Sequence, residues 1–151
     1  MAQSLCMVYL HLVFYVKNTS VRIKEEDLNA VHAHIANLLK TRSDNPFWVD
    51  GIEDHVHVVC SLGRQETISD LVGFLKRASS KWIKHISPYY SNFEWQGGYG
   101  IFSIGKSQIP HTIEYLKNQR VHHKIVSFKE EYIGFLKFHG ISFEESYVLS
   151  D

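Results

Sequence analysis

The sequence predicts an α+β domain: one largely antiparallel sheet with helices covering a face of it. Three observations carry that expectation. Short alternating or β-branched runs are interleaved with longer amphipathic ones, in the order β-α-β-β-α-β-α-α. The second and third strand candidates follow one another closely, as in a hairpin. The chain has 151 residues, which fits a single domain spanning 1–151 with a core of its own.

Each element has a local reason. Over residues 5–16, Cys6, Val8, Leu10, Leu12, Phe14 and Val16 share one apolar face. Leu5, Met7, Tyr9, His11, Val13 and Tyr15 share the other, mixed face. Residues 20–41 read as a helix through Leu28, Val31, Ile35, Leu38 and Leu39. "SDNP" at 43–46 breaks it, and strands follow at 47–52 and 55–62. Thr67, with Asp70 in the first turn, opens a second helix reaching about His85. Its stripe is Ile68, Leu71, Val72, Leu75 and Trp82. A loop with Gly97 and Gly98 leads to a strand at 99–104. Ser107 begins a helical segment, "SQIPHTIEYLKNQRVHHK", with Pro110 tolerated in its first turn. Ser127-Phe128-Lys129-Glu130 reads as a capping box opening a last helix, which Gly140 closes. The arrangement is ferredoxin-like, or RRM-like, with a C-terminal tyrosine-bearing helix and a final helix added.

Composition excludes some classes. Acidic and basic residues balance, which argues against gripping nucleic acid by bulk charge and leaves room for a local basic groove. No run is long and apolar enough to cross a bilayer, so no membrane partner is expected. The apolar N-terminus lacks a basic leader and a small-residue cleavage site, so a first strand and a cytoplasmic protein are expected. Cys6 and Cys60, both in predicted strands, read as small buried hydrophobes of a reducing compartment.

The stretch Asp54-His55-Val56-His57-Val58-Val59-Cys60 is built as a strand, yet it carries two histidines. Residues i and i+2 of a strand point the same way, with Cα atoms about 6–7 Å apart. His55 and His57 therefore share a face, while Val56, Val58 and Cys60 face the core. Two imidazoles on a stiff strand can converge on one cation. Taken alone, the triplet is better explained by two half-exposed histidines on a solvated face, since His-x-His is common by chance. Farther along, Tyr115 and Gln119 are four apart, hence neighbours on one helix face, a pair also common in ordinary amphipathic helices.

Together the two constellations resemble the single-tyrosine HUH transposases of the IS200/IS605 kind, which include the REP-associated tyrosine transposases. HUH denotes histidine, hydrophobe, histidine. "HLVFYVK" resembles the family's first strand and "GIEDHVHVVCSL" its metal strand. "ISDLVGFLKRASSKWI" resembles its second helix, and "WQGGYGIFSIGKSQI" the approach to the "YLKNQ" tyrosine helix. "SFKEEYIGFLKFHGI" is similar to the C-terminal helix of many members. Two departures stand out: Val16 replaces a usual small polar residue, and the net charge is zero.

The resemblance implies that His55, His57 and the Gln119 amide oxygen hold a divalent metal, Mg2+ or Mn2+. It implies that Tyr115 is the nucleophile that cleaves single-stranded DNA, leaving a 5′-phosphotyrosine and a free 3′-hydroxyl. It also implies hairpin-marked DNA ends and a homodimer, with the active site shared between subunits in several members. The chemistry is coherent. A cation on a phosphodiester withdraws charge and aligns the group for attack. A phenol with a pKa near 10 needs activation. Two imidazoles and an amide form a neutral set that binds a hard cation loosely.

Lys76, Arg77, Lys81 and Lys84 on the second helix usually mean a solvated face; within that resemblance they become candidates for DNA-backbone contact. His11 becomes a candidate for touching the site or DNA, if its strand neighbours the metal strand, with a satisfied structural histidine as the equal alternative; His122 and His123 are weaker candidates. Glu53 and Asp54 are expected in an exposed turn. Trp82, Trp95, Tyr89, Tyr90 and Phe93 are expected mainly in the core, with base stacking as the alternative. Two competing functions remain: a non-catalytic or domesticated single-strand-binding protein of the same fold, and a metal-dependent hydrolase that needs no tyrosine.

Overall fold

The structure, a computed structural model, describes residues 2–42, 45–119 and 127–148. Its strands are β1 (Tyr9–Tyr15), β2 (Asn45–Ile52), β3 (His55–Ser61) and β4 (Gly100–Ser103). Its helices are α1 (Leu28–Thr41), α2 (Ile68–Lys84), α3 (Ile109–Lys117), α4 (Phe128–Phe138) and α5 (Glu145–Val148). The four strands form one antiparallel sheet in the order β2-β3-β1-β4. This is the ferredoxin-like arrangement expected from the order of elements. No helix among the described residues is long and apolar enough to cross a membrane.

The main core lies on one sheet face. Leu10, Leu12 and Phe14 of β1, with Val56, Val58 and Cys60 of β3, meet Val31, Ile35 and Leu39 of α1 and Leu71, Leu75 and Ile83 of α2. Fully burying each such aliphatic side chain stabilises the fold by about 1.5–3 kcal/mol. Phe93 and Trp95 close this core, and Trp95 stands edge-on to Phe14 at 4.7 Å. The second face carries Val13 of β1 and Phe102 of β4, covered by Tyr132 and Leu136 of α4. Helices therefore cover both faces rather than one. The pattern of β1 accounts for this: its mixed face holds Val13 and Tyr15, both buried, and these need an apolar cover of their own.

Five local expectations are corrected. The first strand begins at Tyr9, not at residue 5; Leu5 and Met7 are exposed, and so is Cys6, whereas Cys60 is buried as expected. The first helix begins at Leu28 after a 3-10 turn at Glu25–Asp27. Tertiary hydrogen bonds hold the chain before it: the N–H of Ile23 donates to Glu53 O at 2.9 Å, and the N–H of Lys24 donates to Tyr90 Oη at 2.9 Å. Ile68, at the overhanging start of α2, is exposed rather than part of the buried stripe. The tyrosine helix ends at Lys117, where Asn118 turns out of it. β2 starts two residues earlier than the expected 47, so Pro46 falls in it, on an edge of the sheet, and a bulge follows between it and Trp48.

Other expectations hold. Thr67 caps α2 by accepting from the Asp70 N–H at 3.1 Å. Ser127 caps α4 by accepting from the Glu130 N–H at 3.2 Å. Gly140, at φ 68°, takes the left-handed conformation that ends α4, and the Ile141 N–H reaches back to Leu136 O at 2.9 Å.

Candidate active site

Register places the histidines. Val13 of β1 stands opposite His57 and Tyr15 opposite His55, so both imidazoles emerge on the sheet face that α4 covers. Neither is solvent-exposed, which removes the simpler explanation of a solvated histidine pair. Their ring centroids are 4.9 Å apart. Phe128 of α4 stacks on His55 at 4.1 Å, and Phe135 of α4 meets the edge of the neighbouring His11 at 5.3 Å.

Each imidazole is held at its far nitrogen. His55 Nδ1 donates to Asp54 Oδ1 at 2.7 Å, and His57 Nδ1 lies 2.8 Å from His11 Nε2. Asp54 thus sits in the expected turn and has an orienting role besides. Both Nε2 atoms are left facing the same side of the sheet. There His55 Nε2 lies 3.1 Å from Gln119 Oε1, and His57 Nε2 lies 3.2 Å from Glu131 Oε1.

Tyr115 and Gln119 arrive from the end of α3. Leu116 is buried, and Lys117 Nζ lies 4.9 Å over the Trp48 ring, pinning that last turn against β2. The Asn118 N–H caps the turn on Tyr115 O at 3.2 Å, and the next residue, Gln119, points inward. The Gln119 Nε2 donates to Glu131 Oε2 at 3.2 Å, which fixes its amide oxygen toward His55. The Tyr115 hydroxyl donates a short hydrogen bond to the same Glu131 oxygen. Gln119 also walls a cleft of about 270 Å³ lined by His32, Asp50 and Lys117.

Glu131 is the site residue that sequence reasoning missed. The signal was present: at the i, i+4 and i+7 spacing of Phe128, Tyr132 and Phe135, Glu131 falls on the buried face of α4. A carboxylate on an apolar helical stripe needs a partner. Burial by itself would raise this carboxyl, but the hydrogen bond and charge of His57, aided by Tyr115 and Gln119, hold it below the usual carboxylate range. Burial, then the hydrogen bond and charge of Glu131, push the Tyr115 phenol up, with Gln119 opposing. As folded, Tyr115 is a protonated phenol resting on a carboxylate.

His11 is buried beside the site rather than open to DNA. Burial first, then His57, lowers its pKa from 6.5 to about 3, with Glu131 opposing. Between those two pH values the unfolded chain binds a proton that the folded one refuses. This part of the stability is complete above pH 6.5 and is lost as pH falls toward 3. The variant His11→Gln is expected to flatten the dependence of the urea midpoint on pH across that window. An unchanged slope would mean that His11 takes its proton in the folded state.

The basic cluster divides. The ammonium of Lys76 donates to Gln96 O at 2.7 Å and Gly98 O at 2.5 Å, tying down the loop before β4, and burial lowers its pKa to about 8. Arg77, Lys81 and Lys84 are exposed on α2, across the sheet from the imidazoles. Tyr90, Phe93 and Trp95 are in the core, Tyr89 is exposed, and Trp82 stacks on His34 at 4.4 Å. His122 and His123 lie outside the described residues.

The donor set suits a divalent cation. Among the described residues, ligand atoms of His55, His57 and Glu131 lie within 4.8 Å of one another, all buried, with partners behind both imidazoles. Residues 4–119 match the family model described as "Transposase IS200 like". The chain belongs to the IS200-like transposase family. Solved structures agree on the fold of this family member. A candidate transposase from Deinococcus radiodurans R1 is 17% identical, with a TM-score of 0.60 over 79% of this chain and 98% of that one. A REP-associated tyrosine transposase, solved bound to a REP hairpin, is 12% identical, with a TM-score of 0.59 over 100% of this chain and 94% of its own. No curated protein sequence matches this transposase-family chain.

Proposed function

We propose that this protein cleaves and rejoins single-stranded DNA through a 5′-phosphotyrosine on Tyr115, at ends marked by hairpins. One observation carries the reading: the Tyr115 hydroxyl and the His55–His57–Gln119 cluster meet through a single buried carboxylate. A DNA-binding module has no need of a phenol gathered to such a cluster.

His55, His57 and the Gln119 oxygen would hold Mg2+ or Mn2+. Such a cation would supply charge withdrawal from a non-bridging phosphate oxygen. The remaining roles fall to the chain. Asp54 and His11 keep both Nε2 atoms aimed at the site. Tyr115 bonds to phosphorus as the bond to the 3′ oxygen breaks, and the proton lost from the phenol ends on the leaving 3′-hydroxyl. The linkage energy stays in the phosphotyrosine, so a 3′-hydroxyl can reverse the step and join strands. One nucleophilic tyrosine per chain handles one end at a time, which favours a homodimer for two ends. The cleft beside Gln119 offers space for a nucleotide next to the scissile phosphate. Arg77, Lys81 and Lys84, exposed on the far side of the sheet, would serve phosphates of a hairpin stem rather than the scissile group. Lys76 acts within the fold instead.

The test is incubation with hairpin-ended single-stranded oligonucleotides, with and without Mn2+. A protein–DNA adduct that survives denaturation and depends on metal is expected. Oligonucleotide binding without any adduct, on every hairpin tried, would favour the non-catalytic single-strand binder. Cleavage without an adduct would favour a hydrolase.

A further inference from the structure

We propose that Glu131 is itself a ligand of the divalent cation, through Oε1, while its Oε2 ties the Tyr115 hydroxyl to the same centre. This rests on the metal-assisted reading above and changes its ligand set from neutral to anionic.

The geometry supports the assignment from several directions. Glu131 Oε1 lies 3.2 Å from His57 Nε2, the nitrogen that faces the site. Its other oxygen accepts from Gln119 Nε2 at 3.2 Å and from Tyr115. The two oxygens thus divide between the imidazole side and the nucleophile side. The carboxylate is almost wholly buried, with only 3% of its side chain exposed. In the structure this carboxylate leans on the His57 imidazole. A divalent cation among the His55, His57 and Glu131 ligand atoms would give the buried charge a stronger counter-charge. Phe128, one turn before Glu131 on α4, stacks on His55, and Phe135, one turn after it, packs on His11. These contacts hold the carboxylate over the imidazoles. The family match ends at residue 119, so Glu131 is a feature of the chain beyond it.

The consequence concerns which metal is held. Two imidazoles and a carboxylate suit transition ions better than Mg2+, which prefers oxygen ligands. The set therefore favours Mn2+ over Mg2+.

Mn2+ binding to the metal-stripped full chain, followed by calorimetry and by the EPR signal of free Mn2+, tests this without DNA. Wild type is expected to bind Mn2+ more tightly than Mg2+. Glu131→Gln is expected to lose at least about tenfold in Mn2+ affinity, the scale seen when partners of a metal site are removed. Glu131→Asp, which keeps the charge on a shorter arm, is expected to fall between the two, and it decides the matter if Glu131→Gln fails to fold. Equal Mn2+ affinity in wild type and variant would overturn the proposal and leave Glu131 as a cover over the imidazoles. Failure of wild type to bind Mn2+ would overturn it as well. Weakened Mn2+ binding in the variant together with no DNA adduct in wild type would sink the cleavage reading and leave this inference standing.

Discussion

Tyr115→Phe is expected to abolish the covalent adduct while leaving oligonucleotide binding intact. The phenol oxygen is the atom that would bond to phosphorus, and phenylalanine has none to offer. Loss of a nucleophile lowers turnover by roughly a thousand-fold or more. The fold should barely notice. Tyr115 sits at the end of α3, where Leu116 and the Lys117–Trp48 contact hold the turn without it. Removing its hydroxyl leaves Glu131 with His57 and Gln119 as partners. A change in unfolding free energy within about 1 kcal/mol follows from the loss of one hydrogen bond. A denaturing gel for adduct, a mobility shift for binding and a thermal melt separate the three quantities. An adduct persisting in the variant would place the nucleophile elsewhere.

Gly51→Ala should damage both stability and the proposed metal binding, although a glycine has no side chain to offer as a ligand. Gly51 pairs with Val56 across the β2–β3 hairpin. A Cβ there would stand 2.3 Å from the His55 carbonyl oxygen and 2.9 Å from Val56 Cα. Both are backbone atoms, so no side-chain rotation relieves the clash and the strands must part. Overpacking of this kind destabilises by about 1–3 kcal/mol. The displaced segment begins with His55, whose imidazole would leave its place between Asp54 and Gln119. A lowered urea midpoint together with weaker Mn2+ binding is expected. A variant as stable as wild type would show that the hairpin can absorb a methyl group at this point.

The strand and helix periods were plain in the sequence because burial follows them directly. The alternation of β1, the Val56-Val58-Cys60 face of β3 and the Leu71-Leu75 stripe of α2 all sit where their spacing put them. Exceptions arise where a distant partner outbids a local preference. Residues 20–24 lie outside the first helix, and the N–H groups of Ile23 and Lys24 bond instead to Glu53 and Tyr90. The turn at Asn118 that brings Gln119 inward has no signature in a pattern that reads as one amphipathic helix.

The amino-acid order by itself determined the α+β class and the shared face of His55 and His57. Both follow from the 2.0 and 3.6 periods of a chain whose side chains must sort by polarity. Only the tertiary structure decided that the two imidazoles are buried, that Asp54 and His11 stand behind them, that Lys76 is spent on loop carbonyls, and that Glu131 joins the centre. Those facts depend on which strands neighbour one another and which helix covers which face. They are contacts between residues far apart along the chain, and a local period carries no information about them.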